Sequence, residues 1–74
     1  MFKLYFGTSK ETMTVVDEFA TEAEVWIRIQ NLLDKSSFKS YYIRKWLSDE
    51  KNNIYTIDYG SHNFFFFIQY PKVG

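Results

Sequence analysis

The stretch TEAEVWIRIQNLL, residues 21–33, decides the fold because its apolar residues recur with the period of a helix. Thr21 and Glu24 have the spacing of a capping box, in which a hydroxyl and a carboxylate each bond an amide left free in the first helical turn. Glu24 and Arg28 have the spacing of an ion pair along one helix face. The apolar stripe consists of Val25, Trp26, Ile29, Leu32 and Leu33. Because Ser36 and Ser37 end the pattern, we predict one helix of about fifteen residues.

The segments on both sides of this helix have the character of strands. We predict five of them, over residues 2–6, 13–19, 41–47, 54–59 and 64–70. In the second strand, alternation places Met13, Val15 and Phe19 on one side. Gly60 stands in a turn that favours positive φ. The predicted order is ββαβββ, an α+β domain with one five-stranded antiparallel sheet and one helix packed on one face.

The directions of the strands follow from the helix. A helix packed along the sheet returns the chain to the end where the second strand began, so the third strand runs parallel to the second. The fourth and fifth strands reverse in turn, which makes the fifth antiparallel to the first. An all-antiparallel sheet in the order 2-1-5-4-3 satisfies these directions.

Both faces of the predicted sheet carry aromatic residues, whereas the single helix covers only one of them. Phe65 and Phe67 point away from Phe64 and Phe66. One interpretation is that the uncovered face is a protein interface, either in a homodimer or with a target. The alternative is a curled sheet whose tyrosines keep their hydroxyl groups in water.

The length, composition and charge of the chain limit the classes of protein to which it can belong. With 74 residues, 46% apolar and 22% aromatic, the chain is expected to form a single small domain, residues 1–74. It has no Cys, which fits a reducing cytosol, and its longest apolar run, Phe64 to Ile68, is too short to span a bilayer. We therefore expect a soluble intracellular domain with no membrane partner. Nine basic and nine acidic residues cancel, which argues against a DNA mimic that works by overall charge.

Candidate catalytic and metal-binding groups are few. His62 is the only histidine, and a set made of Asp58, Ser61 and His62 would have to converge within one tight hairpin. Catalytic roles require convergence from separate elements, so a turn histidine is the expected role. One His without Cys does not make a transition-metal site, and the three glycines are isolated rather than forming a phosphate loop. We therefore expect no enzyme activity, no catalytic residue, no metal and no cofactor.

The charges are distributed unevenly along the chain. Residues 11–24 contain five acids and no base, whereas residues 35–51 contain five bases and two acids. This pattern is typical either of a solvated surface or of an acidic patch that meets a basic protein groove. Ile27 falls outside the apolar stripe, so we expect it to be exposed beside Glu24 and Asn31. The predicted partner-binding residues are Asp17, Glu18, Glu22, Glu24, Ile27, Tyr42 and Trp46.

Three motifs carry a resemblance that covers nearly the whole chain. They are KLYFGTS at residues 3–9, KSYYIRKW at residues 39–46 and IDYGSH at residues 57–62. In this order they resemble small orphan proteins of phages and prophages of Gram-positive bacteria, a group without assigned catalytic residues. The resemblance implies an early or accessory phage product that acts in the host cytoplasm.

What this resemblance implies about function is inhibition of a host protein. Small phage domains without catalytic groups commonly bind and block a host protein, and anti-CRISPR inhibition of an RNA-guided nuclease is a prominent candidate. We therefore expect a non-enzymatic inhibitor. The alternative is a small nucleic-acid-binding or structural phage accessory protein. In the nucleic-acid-binding form, bases would stack on aromatic strands that also carry Lys3, Lys39, Arg44 and Lys45. The acids between positions 11 and 24 make direct nucleic-acid binding the less expected of the two.

Overall fold

Five strands and one helix follow each other along the chain. The computed structural model describes residues 1–35, 43–61 and 63–71. In chain order the elements are β1 (Phe2–Gly7), β2 (Thr14–Phe19), α1 (Glu22–Lys35), β3 (Arg44–Asp49), β4 (Ile54–Asp58) and β5 (Phe65–Gln69). The predicted α+β class and the order ββαβββ are confirmed.

The strands form one sheet in the order β2-β1-β5-β4-β3, and every neighbouring pair is antiparallel. At its centre β1 pairs with β5, which places Leu4 opposite Ile68. The two edge strands, β2 and β3, run in the same direction, as a helix that returns the chain requires. The predicted strand order and directions are therefore confirmed.

Helix α1 begins at the predicted capping box and has 14 residues. The amide of Glu24 donates to Thr21 Oγ1 at 3.3 Å, and the amide of Thr21 donates to Glu24 Oε1 at 3.2 Å. Because the Glu24 carboxylate turns back to the cap, it does not reach Arg28. Arg28 enters none of the ion pairs between described residues, so the prediction of that pair is wrong.

The core lies between α1 and one face of the sheet. Val25, Ile29 and Leu33 of the helix are at most 4% exposed, and Trp26 and Leu32 pack beside them half-buried. The sheet contributes Leu4, Ile57, Tyr59, Phe66 and Ile68. The predicted apolar stripe is therefore the buried face of the helix, and burial of such side chains is the main favourable term in folding.

A β-bulge between β1 and β2 changes which residues of β2 face the core. The register shifts between Leu4 and Tyr5, so Val15 lies opposite Tyr5 and is 59% exposed. Val16 packs against the core instead. The prediction that Val15 shares a face with Phe19 is wrong, because simple alternation assumes a strand without an inserted residue.

Strand β3 ends later than alternation predicts. The predicted strand covers residues 41–47, whereas the observed one is Arg44–Asp49; Tyr42 lies outside the described residues. Ser48 lies beyond the predicted strand and belongs to the observed one. Its Oγ accepts a hydrogen bond from the Thr56 hydroxyl of β4 at 2.8 Å.

The sheet is curled rather than flat. Lys10, in the turn between β1 and β2, places its Nζ 3.1 Å from Asp49 Oδ2 at the end of β3. In a flat sheet the two edges would be four strand spacings apart, roughly 19 Å. Phe67 and Thr56, on the face away from the helix, are only 2% and 7% exposed. The structure therefore supports the curled-sheet alternative, and this face presents less aromatic surface than alternation predicts.

Candidate interaction surface between β2 and α1

A groove lies between the end of β2 and the first half of α1. It has a volume of about 330 Å³ and is lined by Phe19, Glu24, Ile27, Arg28 and Asn31; we call it the β2–α1 groove. Ile27 is 62% exposed there, because position 27 lies off the stripe that packs on the sheet. The prediction that Ile27 is exposed beside Glu24 and Asn31 is confirmed.

One carboxylate, that of Glu24, lines this groove, and two more lie on the adjoining strand. Asp17 and Glu18 precede Phe19 on β2 and are exposed, and Glu18, opposite Lys3, points to the sheet face away from the helix. Lys3 Nζ lies 3.9 Å from Glu18 Oε1, with the two side chains 46% and 51% exposed. Ion pairs this open contribute roughly 0 to 1 kcal/mol, so Glu18 can exchange Lys3 for another cation at little cost. We call Asp17, Glu18 and Glu24 the acidic rim.

One cationic side chain lies within the groove. The Nε of Arg28 is buried and has no hydrogen-bond partner in the part of the chain that the structure describes. A buried donor without an acceptor costs about 1 to 3 kcal/mol. The groove itself presents the apolar side chain of Ile27 beside the carboxylate of Glu24.

Glu22 belongs to a different site. Its Oε2 accepts a hydrogen bond from Trp26 Nε1 at 3.0 Å and lies 3.5 Å from Lys45 Nζ on β3. Lys45 Nζ donates to the Tyr70 hydroxyl at 2.9 Å and lies 5.3 Å from the ring centroids of both Tyr55 and Tyr70. We call these five residues the Lys45 cluster. It connects the beginning of the helix to an edge strand on the far side of the sheet.

The charges in the Lys45 cluster reinforce one another. The hydrogen bond from Trp26 is the largest cause that holds the pKa of Glu22 below its ordinary value of 4.5, and the Tyr70 hydroxyl and Lys45 lower it further. The hydrogen bond with Tyr70 is the largest cause that raises the pKa of Lys45 above 10.5. Both groups are therefore charged at neutral pH. Glu22 is committed to these contacts, which leaves it less available to a partner than the acidic rim.

Trp46 lies on the edge opposite β2. It is 41% exposed, and the guanidinium carbon of Arg44 lies 5.8 Å from its ring centroid. Tyr42, predicted to act with it, lies outside the described residues. The structure thus divides the predicted set: Asp17, Glu18, Glu24 and Ile27 lie at the β2 edge, Trp46 lies at the β3 edge, and Glu22 lies in the Lys45 cluster.

An apolar cavity at the other end of the helix is not visible in the sequence pattern. It has a volume of about 270 Å³ and is lined by Phe6, Val16, Leu32, Leu33, Tyr59 and Phe66. Burial raises the pKa of the Tyr59 phenol above 10, so this group is neutral at physiological pH. We call this space the helix-end cavity.

The described residues contain neither a metal centre nor a membrane span. Across residues 1–35, 43–61 and 63–71, no group of three His, Cys, Asp or Glu side chains could hold a metal ion. No helix in the same ranges has the length and hydropathy needed to cross a bilayer. His62 lies outside the described residues, so its predicted role in a turn stays a prediction.

Comparisons with known proteins do not identify a relative. No protein-family model matches the chain, and neither curated proteins nor solved structures show significant similarity to it. The resemblance to phage proteins and the inhibition that it implies therefore stay predictions.

Proposed function

We propose that the protein is a non-enzymatic inhibitor that binds a host protein through the β2–α1 groove and the acidic rim. The observation that carries this proposal is the 62% exposure of Ile27 inside a groove lined by Glu24, with Asp17 and Glu18 exposed on the adjoining strand. An apolar centre surrounded by polar residues is the usual anatomy of a protein interface. Burial of Ile27 would supply affinity, while the rim would set orientation and the rate of encounter.

The partner that fits this surface carries a basic groove. The whole molecule has no net charge, so attraction must come from the local field of the acidic rim. Proteins that hold nucleic acid line their grooves with Lys and Arg to neutralise phosphates. An RNA-guided host nuclease presents such a surface. Together with the resemblance to phage proteins, this makes anti-CRISPR inhibition the leading form of the proposal.

Binding of nucleic acid by the protein itself fits the structure less well. The two bases at the β3 edge each have an acid nearby: Arg44 Nη2 lies 3.7 Å from Asp58 Oδ2, and Lys45 lies 3.5 Å from Glu22. A phosphate would have to compete with these carboxylates. The β3 edge therefore lacks the basic field on which single-strand binders depend.

The test compares two changes at the groove with a matched change outside it. Ile27→Lys and the double variant Asp17→Lys, Glu18→Lys alter the groove or its rim, whereas Gln30→Lys adds the same charge at an exposed position of the same helix. Binding to a purified RNA-guided nuclease would be measured at several salt concentrations, beside plaque formation in a host with an active CRISPR system. Circular dichroism establishes that all variants are folded.

We expect Ile27→Lys to weaken binding on the order of tenfold or more, because a charge replaces the buried centre of the interface. The Asp17, Glu18 reversal should mainly slow association and abolish its salt dependence. Gln30→Lys should bind like the parent. Equal protection by the parent and every variant would rule out the groove as the contact, and absence of protection by the parent would rule out the anti-CRISPR form.

A further inference from the structure

The outer strand β3 is an edge with unusual exposure of apolar side chains. Ile43, Trp46 and Leu47 are 42%, 41% and 45% exposed. Trp46 and Leu47 point to opposite faces, because they lie opposite Thr56 and Tyr55, which are neighbours on β4. Edge strands of soluble proteins usually carry charges that prevent pairing with another chain. The β2 edge carries such charges at Asp17 and Glu18, whereas the central part of β3 carries the apolar Trp46 and Leu47 instead.

The charges that β3 does carry are arranged asymmetrically. Arg44, 66% exposed and 3.7 Å from Asp58, lies at its beginning, and exposed Glu50 directly follows its end. Lys45 and Asp49 lie between them and contact Glu22 and Lys10 of their own copy. Two copies of such a strand in antiparallel orientation bring the basic beginning of each beside the acidic end of the other. The apolar residues then meet in the middle. The strand is thus complementary in charge to itself, and only when the two copies are antiparallel.

We propose that β3 pairs antiparallel with β3 of a second copy, forming a two-fold symmetric dimer whose sheet continues from one copy into the other. The backbone N–H and C=O groups on the outer side of β3 would hydrogen bond across the symmetry axis. The two Trp46 side chains would cover each other on one face of the sheet, and the two Leu47 side chains would do so on the other face. A two-fold contact of this kind uses one surface twice and closes after two copies, which avoids open-ended assembly.

The dimer is independent of the proposed inhibitory function. β2 and β3 are opposite edges of the sheet, so pairing through β3 leaves the β2–α1 groove accessible in both copies. A contact made by one six-residue strand from each copy is small, and small interfaces are weak. We therefore expect a monomer–dimer equilibrium at micromolar concentration rather than a permanent dimer.

Sedimentation of the protein over a range of concentrations tests the equilibrium, with charge reversals as the specific probe. The parent should change from 8.9 kDa towards twice that mass as its concentration rises. Glu50→Arg puts like charges at both ends of the contact and should weaken the dimer severalfold. Arg44→Glu should do the same. The double variant Arg44→Glu, Glu50→Arg restores opposite charges across the axis and should recover dimerisation. Such a recovery requires that the two strands are antiparallel.

A second pair of variants separates the two edges. Leu47→Lys places two ammonium groups at the centre of the contact and should give a monomer. Val15→Lys makes the same kind of change on β2, where Val15 is 59% exposed, and should leave the dimer intact. Thermal melting of each variant shows whether it is folded.

Three results would overturn the proposal. The first is a parent that stays at 8.9 kDa at every concentration. The second is a dimer broken by Val15→Lys and not by Leu47→Lys, which would place the contact at β2. The third is a monomer whose tryptophan fluorescence is quenched by a single-stranded oligonucleotide, with the quenching lost in Trp46→Phe, which would assign the exposed tryptophan to base stacking.

Discussion

The two ends of helix α1 are stabilised by different kinds of contact. At the beginning, the capping box and the Lys45 cluster make directional hydrogen bonds of 2.9 to 3.3 Å between polar groups. At the end, Leu32 and Leu33 line a cavity of about 270 Å³ together with Phe6, Val16, Tyr59 and Phe66. Polar contacts with fixed geometry position one end of the helix, whereas apolar contacts allow the other end to pack less densely.

The largest expected effect is at the beginning of the helix. Trp26→Ala removes a packed, half-buried ring and the indole hydrogen bond to Glu22, and should lower the free energy of unfolding by about 3 kcal/mol, the lower end of the usual range for Trp. Leu32→Ala, a half-buried residue beside the existing cavity, should cost nearer the lower end of the usual range for Leu, about 2 kcal/mol. Urea unfolding of both variants measures the difference. A Trp26→Ala variant as stable as the parent would show that the indole does not hold the helix in place.

A smaller effect of opposite sign is expected from filling the helix-end cavity. Val16→Ile adds one methylene where there is room and should stabilise the protein by about 0.5 to 2 kcal/mol. The matched control is Val25→Ile. Val25 is 0% exposed in the dense part of the core, so the same methylene should destabilise by about 1 to 3 kcal/mol. If both substitutions destabilise alike, the cavity does not give the space that the comparison requires.

The smallest effect is a pH dependence that belongs to the beginning of the helix. The folded-state pKa of Glu22 is lowered, mainly by Trp26, so its contribution is present above the ordinary value of 4.5 and lost as the pH falls through the folded pKa. The melting temperature of Glu22→Gln should therefore lie below that of the parent at pH 7 and approach it at acid pH. Lys45→Met should reduce this dependence without abolishing it, because the Trp26 hydrogen bond remains. A constant difference between Glu22→Gln and the parent at every pH would contradict this assignment.

The features that the sequence predicts correctly are those set by neighbouring residues. The capping box depends on Thr21 and Glu24, and the turn at Gly60, with φ of 100°, depends on the absence of a side chain. The strand order follows from element order and one returning helix. The exposure of Ile27 follows from its position off the apolar stripe.

The features that the sequence does not predict depend on residues brought together by the fold. The bulge that exposes Val15 arises from how β2 pairs with β1, and no local pattern marks it. In the sequence Glu22 is one of five acids between positions 11 and 24. In the structure it contacts Lys45, which lies on the far edge strand of the sheet. The helix-end cavity joins residues from four elements and their connections. Contacts of this kind require the topology and the curl of the sheet to be known first.

The pairing of β1 with β5 at the centre of the sheet has a consequence for biosynthesis. Tyr5 donates a hydrogen bond to Gln69, 64 positions later, and without β5 the first hairpin has no partner on its inner side. Sheets that depend on such distant pairing fold more slowly than helical domains, because the chain must close a long loop before these contacts form. Ribosomes add about 5 to 20 residues per second, so the earlier strands wait several seconds for β5. A chain stopped before residue 65 would be left unfolded rather than as a smaller domain.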